Sequence, residues 1–374
     1  MGNDNGAERP TQSSPRRGAG AGAWEDLRGK YAEEGIVLVL GAGVSKDSCI
    51  PNWGGLLGNL LERLNKRAQQ PTLASLRKHD MSLPMIASVI ERRFGEQDRK
   101  AFVEKVRKAL YRDFLYREGI SDREAFVDDV RTTNGTLHAV CTVCAVKGEP
   151  AETYVSNPRI GAIVTFNLDQ LVQSYIRSRF SDYARPRRER VKLVRTVERA
   201  SADPHAQSKG RRGVFIPRRI NVYHLHGYLR FDSGAGEPRK ETDKITLTEQ
   251  DYFDFFNDPM SIFNYTFLHL LREWSCLFIG LSMQDENIRR LLHYSTKERM
   301  ESLRAEGRDP AKERKKSIRH FAILRREGSD VDTAKEESLR LLGTKVLWVK
   351  DYSEIAVQLR AMYEEAGDDW GAVC

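Results

Sequence analysis

Cysteine is scarce in this chain: Cys49, Cys141, Cys144, Cys276 and Cys374 are the only five in 374 residues. An odd number at irregular spacing does not read as a disulfide framework and fits reduced thiols in a cytoplasm. Cys141 and Cys144 have the spacing of half a zinc site, but there is no second pair, so no metal centre is expected. No apolar run approaches the roughly 20 residues that a membrane helix requires. The first residues lack the charged-then-apolar pattern of a secretory signal. A cytoplasmic protein without membrane contact is expected. Residues 1–23 are almost devoid of apolar side chains and cannot offset the entropy of ordering, so they are read as a disordered tail.

What remains is sufficient for a large core, with 40% hydrophobic and 9% aromatic residues. The formal net charge is +8, and it is concentrated. Arg185–Arg219 carries twelve Lys/Arg against Glu189, Glu198 and Asp203, an excess of nine that accounts for the whole imbalance. Such a basic insertion can track nucleic-acid phosphates, and it equally suits a solvated loop or a docking surface for an acidic partner.

Four apolar runs end in small or polar residues. Ile36–Leu40 leads into Gly41-Ala42-Gly43-Val44-Ser45, and Ile163-Val164 into Thr165-Phe166-Asn167-Leu168-Asp169. Tyr223-His224-Leu225 leads into His226-Gly227, and Leu277–Ile279 into Gly280-Leu281-Ser282-Met283-Gln284-Asp285. Continuous apolar runs of this length fit strands buried on both faces. His320–Leu324 and Lys345–Val349 read as two more. Strands alternating with helical patterns predict an α/β fold, a Rossmann-like doubly wound parallel sheet over residues 24–374. Between the first two strands, residues 53–150 show no convincing strand and read as an inserted helical subdomain. There Phe102, Val106, Leu110 and Phe114 recur every four residues. Met300–Lys316 reads as a charged, exposed loop.

In open parallel sheets ligands bind beyond the carboxyl ends of the strands, so the four ends are expected to converge on one crevice. The glycine turn would bring backbone N–H groups to a pyrophosphate, but the full dinucleotide fingerprint needs a third glycine where Lys46 stands. An ordinary dehydrogenase is therefore disfavoured. Asn167, Asp169 and Asp285 also have the sequence positions of helix caps.

Together and in this order the four motifs resemble the sirtuin family of NAD-consuming proteins. The glycine turn with Ile50-Pro51 is similar to that family's diphosphate-binding opening, and Thr165–Asp169 to its Thr-Gln-Asn-Ile-Asp element. His226-Gly227 is similar to its catalytic His-Gly, and Gly280-Leu281-Ser282 to its ribose-binding Gly-x-Ser. The departures are specific. Only Cys276 and Cys374 follow Gly227, where protein deacylases carry a four-cysteine zinc module. Pro51-Asn52-Trp53-Gly54 replaces their Pro-Asp-Phe-Arg. What remains resembles the sirtuin-like branch of bacterial antiphage defence, which hydrolyses NAD to nicotinamide and ADP-ribose. Thr246–Tyr252 is also similar to that branch.

The resemblance implies NAD as substrate, no metal, and a set of roles. His226 would be the general base, Asn167 would hold water and ribose, and Asp169 would orient the pocket or cap a helix. Gly41, Ala42, Gly43 and Ser45 would bind the diphosphate, with Trp53 in the same binding set. Gly280, Ser282 and Asp285 would hold the adenosine ribose. Such an activity implies gating, by homo-oligomerisation or by a partner such as a HerA-type ATPase. The alternatives are a catalytically silent nucleotide-binding subunit of a defence complex, or an NAD-dependent deacylase.

Overall fold

Ile36–Leu40 forms β1 with every side chain buried. Its residues divide strictly by parity: Ile36, Leu38 and Leu40 join one apolar core, Val37 and Val39 the other. A strand with two cores must have layers on both faces, and that requirement organises the rest of the molecule. A computed structural model describes residues 21–64, 72–94, 98–115, 122–149, 153–180, 193–197, 219–230, 245–257, 262–309 and 318–374. The tail expected over 1–23 lies outside these residues up to position 20, as does most of the basic segment at 185–219.

The chain runs α1 (Ala21–Glu33), β1, α2 (Trp53–Leu64), α3 (Leu73–Lys78), α4 (Leu83–Arg93), α5 (Arg99–Leu110), α6 (Arg123–Thr133) and α7 (Gly135–Thr142). It continues with β2 (Ala145–Lys147), β3 (Tyr154–Ser156), β4 (Ile160–Thr165), α8 (Leu171–Phe180), β5 (Val194–Val197), β6 (Ile220–His224), α9 (Glu249–Asn257) and α10 (Ile262–Glu273). Last come β7 (Ser275–Ile279), α11 (Glu286–Ala305), β8 (His320–Arg325), α12 (Ser329–Arg340), β9 (Thr344–Val349), α13 (Glu354–Glu365) and α14 (Trp370–Val373).

Seven strands pair in parallel in the order β5-β6-β4-β1-β7-β8-β9. This is a doubly wound α/β sheet. From β1 the chain builds outward to β4 and β6, then returns to β7 on the other side of β1. The strand order thus reverses between β1 and β7, which places a ligand crevice at their carboxyl ends. One face is covered by α1, α8 and α13 with the helices that follow β1, the other by α10, α11 and α12.

Three expectations need correcting. Residues 53–150 are not free of strand: α7 stops at Thr142, and β2 pairs antiparallel with β3, Val146 opposite Val155. Three residues are too few to display alternation. Phe114 does not continue the helical face, because α5 ends at Leu110; it is nonetheless buried, edge-on to Phe126. Met300 belongs to α11, which runs on to Ala305.

Candidate active site in a cleft across the carboxyl ends of β1, β4, β6 and β7

The glycine turn after β1 lies directly against the turn after β7. Gly41 N donates to Ile279 O (2.9 Å) and Gly43 N to Gly280 O (3.0 Å). A Cβ on Gly41 would fall 2.6 Å from Gly280 O, and one on Gly43 2.7 Å from Gly280 Cα. Only glycine permits this approach, and Gly280 also takes φ +71°, which other residues rarely adopt. The chain then makes two tight turns, Ala42–Val44 and Lys46–Ser48. Asn134, which the sequence reading passed over, holds them from behind. Its amide donates to Val44 O and Ser48 Oγ, both at 2.9 Å, while its Oδ1 caps α7 at Leu137 N.

The end of β4 is tied to the same turn. Asn167 Nδ2 donates to Gly41 O (3.1 Å) and Ser45 Oγ (3.2 Å). Asp169 Oδ1 accepts from Leu171 N (3.0 Å), so this carboxylate caps α8. Burial holds its carboxyl above the usual carboxylate range, and hydrogen bonds from Leu171 N, Ser45 and Asn167 offset part of that. Ser45 is fully buried behind the turn, engaged with Asn167.

β6 ends at His224, and His226 follows just beyond it in different surroundings. His224 is part of the frame: Nδ1 lies 3.2 Å from Asn167 O, and Nε2 faces the Gln173 side chain. The strand stops there, and Gly227, at φ +76°, returns its N–H to His224 O (3.1 Å). His226 is thereby turned onto the cleft instead of sharing the face of His224. Its carbonyl accepts from Thr246 N (2.8 Å), which anchors the segment leading into α9. Its ring stands edge-on to Phe166 (5.1 Å) and Tyr252 (5.6 Å). Tyr252 in turn stacks on Trp53, ring centres 5.5 Å apart and 10° from parallel. The Trp53 Nε1–H is buried without a hydrogen-bond partner among the described residues. A buried, unsatisfied donor on a cleft wall fits a ligand acceptor.

On the β7 side, Asp285 Oδ1 accepts from Ile288 N (3.0 Å) and caps α11, and Met283 sits at φ 60°. Ser282 is exposed at the rim. The resulting cleft has a volume of about 720 Å³, within the range of small-molecule and cofactor sites. It brings together Gly41, Ala42, Gly43, Trp53, Asn167, Asp169, His226, Gly280, Ser282 and Asp285; Ser45 does not reach its surface. It extends past β7 to Arg325 at the end of β8 and Tyr352 beyond β9, two residues with no motif to announce them.

Arg99 at the start of α5 bridges Glu91 on α4 and Asp251 on α9 (2.6 Å), fastening the helices after β1 to the segment that carries Tyr252. Among the described residues no group of three or more His, Cys, Asp or Glu is placed to hold a metal ion. Cys141 and Cys144 are buried, and burial pushes both thiols up, away from the thiolate that a metal takes. No helix among the described residues is long and apolar enough to cross a membrane.

No curated protein matches this chain. The family profile of the SIR2-like domain matches residues 161–347, half of the chain. That span starts within β4, ends within β9 and carries Asn167, Asp169, His226 and Gly280–Asp285. The glycine turn and Trp53 precede it and complete the same cleft from the N-terminal side. A doubly wound sheet whose histidine, asparagine and second glycine turn all fall inside that match establishes that the protein belongs to the SIR2-like domain family.

Proposed function

We propose that the protein is an NAD glycohydrolase that cleaves the nicotinamide–ribose bond to give nicotinamide and ADP-ribose. The observation that carries this reading is the shared opening of His226 and Asn167 onto one cleft, with the imidazole edge-on to Phe166 of the cleft wall and to Tyr252. The departing nicotinamide is already cationic in NAD, so the reaction needs little acid. It needs the ribose held as positive charge develops on it, bulk water excluded, and one water placed. His226 is the base toward that water or a ribose hydroxyl. Asn167 donates to Gly41 O and Ser45 Oγ, which fixes its amide plane and leaves the geometry of Oδ1 set. Asp169, buried beside it, supplies negative charge or a fixed hydrogen bond.

A dinucleotide lies across the strand ends in this reading. From β6 to β8 is four strand spacings, roughly 19 Å, so nicotinamide at His226 sends the adenosine past Gly280–Ser282 toward Arg325 and Tyr352. An unregulated NAD hydrolase would exhaust its cell. We therefore propose a gated role in antiphage defence, in a homo-oligomer or with a partner of the HerA-type ATPase kind. The test is nicotinamide release from NAD by the purified protein, alone and with its native partner, against His226→Ala. Loss of release in the variant supports the proposal. Tight NAD binding without release in both settings would favour a silent nucleotide-binding subunit.

A further inference from the structure

We infer that Lys46 is the diphosphate-binding residue of this cleft, an assignment that rests on the NAD reading above. Most of the usual receptors for a diphosphate are already engaged by the protein, leaving the Ala42 N–H of the glycine turn. Of the five N–H groups from Gly41 to Ser45, four donate to protein carbonyls: Gly41 to Ile279 O, Gly43 to Gly280 O, Val44 to Gly41 O and Ser45 to Ala42 O. Of the helix N-termini on the cleft wall, those of α8 and α11 are capped by the carboxylates of Asp169 and Asp285, and that of α2 by the neutral Asn52, whose Oδ1 accepts from Gly55 N (2.8 Å). The two carboxylates offset the positive ends of α8 and α11, which would otherwise attract a phosphate. With Asp47 also on the wall, the surroundings of the glycine turn are poor in positive charge for a ligand that carries two negative ones.

Lys46 is the cation placed to change that balance. It follows Ser45 directly, opens the second tight turn, lines the cleft and is exposed. Among the described residues it has no ion-pair partner. The other cations on the cleft are engaged or distant. Arg77 donates to Met81 O (3.3 Å), and Lys335 pairs with Glu327 (2.6 Å). Arg325, the last residue of β8, lies over the Tyr352 ring, two strands from the glycine turn. Lys46 thus occupies the position where the dinucleotide fingerprint would have its third glycine. A side-chain charge supplements a turn whose backbone N–H groups are mostly taken by its own carbonyls and by those of Ile279 and Gly280.

The test is calorimetric titration of the full chain with ADP-ribose and, separately, with adenosine, for wild type, Lys46→Ala and Lys46→Arg. Lys46→Ala is expected to weaken ADP-ribose by about tenfold, to flatten the salt dependence of its affinity, and to leave adenosine unchanged. Lys46→Arg is expected to retain most of the affinity. The side chain is exposed, so thermal unfolding should show both variants folded. Wild-type affinity for ADP-ribose in Lys46→Ala would overturn the assignment while leaving the NAD reading intact. Failure of the wild type to bind ADP-ribose or NAD would remove the NAD reading, and the assignment with it.

Discussion

Gly43 and Gly280 meet backbone to backbone: a Cβ on Gly43 would lie 2.7 Å from Gly280 Cα, and one on Gly280 would lie 2.6 Å from Val44 N. This contact locks the turns after β1 and β7 together at the point where strand order reverses. Neither neighbour is a flexible side chain that could yield. Gly43→Ala is expected to lower unfolding free energy by about 1–3 kcal/mol and to reduce NAD turnover, because the strand ends on both sides of the cleft would separate. Urea unfolding checks the first effect and nicotinamide release the second. An unchanged midpoint would show that the turn can relax.

Trp53→Phe isolates a single hydrogen-bond donor. The variant keeps a ring to stack on Tyr252 but removes the buried Nε1–H that has no partner among the described residues. Stability should hold or rise slightly, since an unsatisfied buried donor costs about 1–3 kcal/mol. The KM for NAD should rise several-fold with kcat little changed. A loss of stability with KM unchanged would mean that the N–H serves the fold.

Asp169→Asn separates the cap from the charge. Asparagine caps Leu171 N as well as aspartate does, while removing a carboxylate whose burial is unfavourable. The folded-state pKa is raised, so the ionised group is destabilising above that value, and the penalty disappears as pH falls below the ordinary carboxylate value. The variant should therefore unfold at a higher temperature than wild type at pH 7, with the difference shrinking toward pH 4. If the variant is instead less stable at every pH, the charge is compensated within the fold.

His320 gives the molecule an acid-labile element far from the cleft. Burial pushes its imidazole down to about 3, with Arg319 and Arg299 adding to the effect, and its Nδ1 accepts from Cys276 N (3.3 Å). The unfolded chain takes up a proton near the ordinary histidine value while the folded chain does not. Stability is thus lost as pH falls from about 6.5 toward 3, by roughly 1.4 kcal/mol per pH unit for one proton. His320→Asn keeps an acceptor for Cys276 N and should flatten this slope in urea unfolding between pH 6 and 5. A slope equal to that of wild type would assign the acid sensitivity elsewhere.

The sheet was legible because its strands are buried on both faces and read as plain apolar runs. β1 has the expected boundaries, Ile36–Leu40, β8 and β9 lie within a residue of theirs, and β7 begins at Ser275, two residues before the expected run. β5 was not legible. Val194–Val197 is an edge strand inside the basic segment, where Arg195 reaches Asn221 Oδ1 (3.1 Å) and the density of Lys and Arg hides the alternation. At the cleft, residue types announced themselves where local backbone demanded them, as at Gly41, Gly43, Gly280 and the capping Asp169 and Asp285. Asn134, Arg325 and Tyr352 gave no such signal, because their placement depends on contacts between elements far apart in the chain. Nor could spacing alone tell His224 from His226. The end of β6 at His224 and the positive φ of Gly227 make that distinction.

The most direct measurement is the fate of water oxygen during turnover. NAD is incubated in ¹⁸O-enriched water with the wild type and with His226→Ala, in each case with and without the native partner, and the products are weighed by mass spectrometry. The account predicts one nicotinamide for each ADP-ribose, a single ¹⁸O in the ADP-ribose, and loss of both products in the variant. ADP-ribose without the label, a transferred ADP-ribosyl group, or undiminished release by His226→Ala would contradict it.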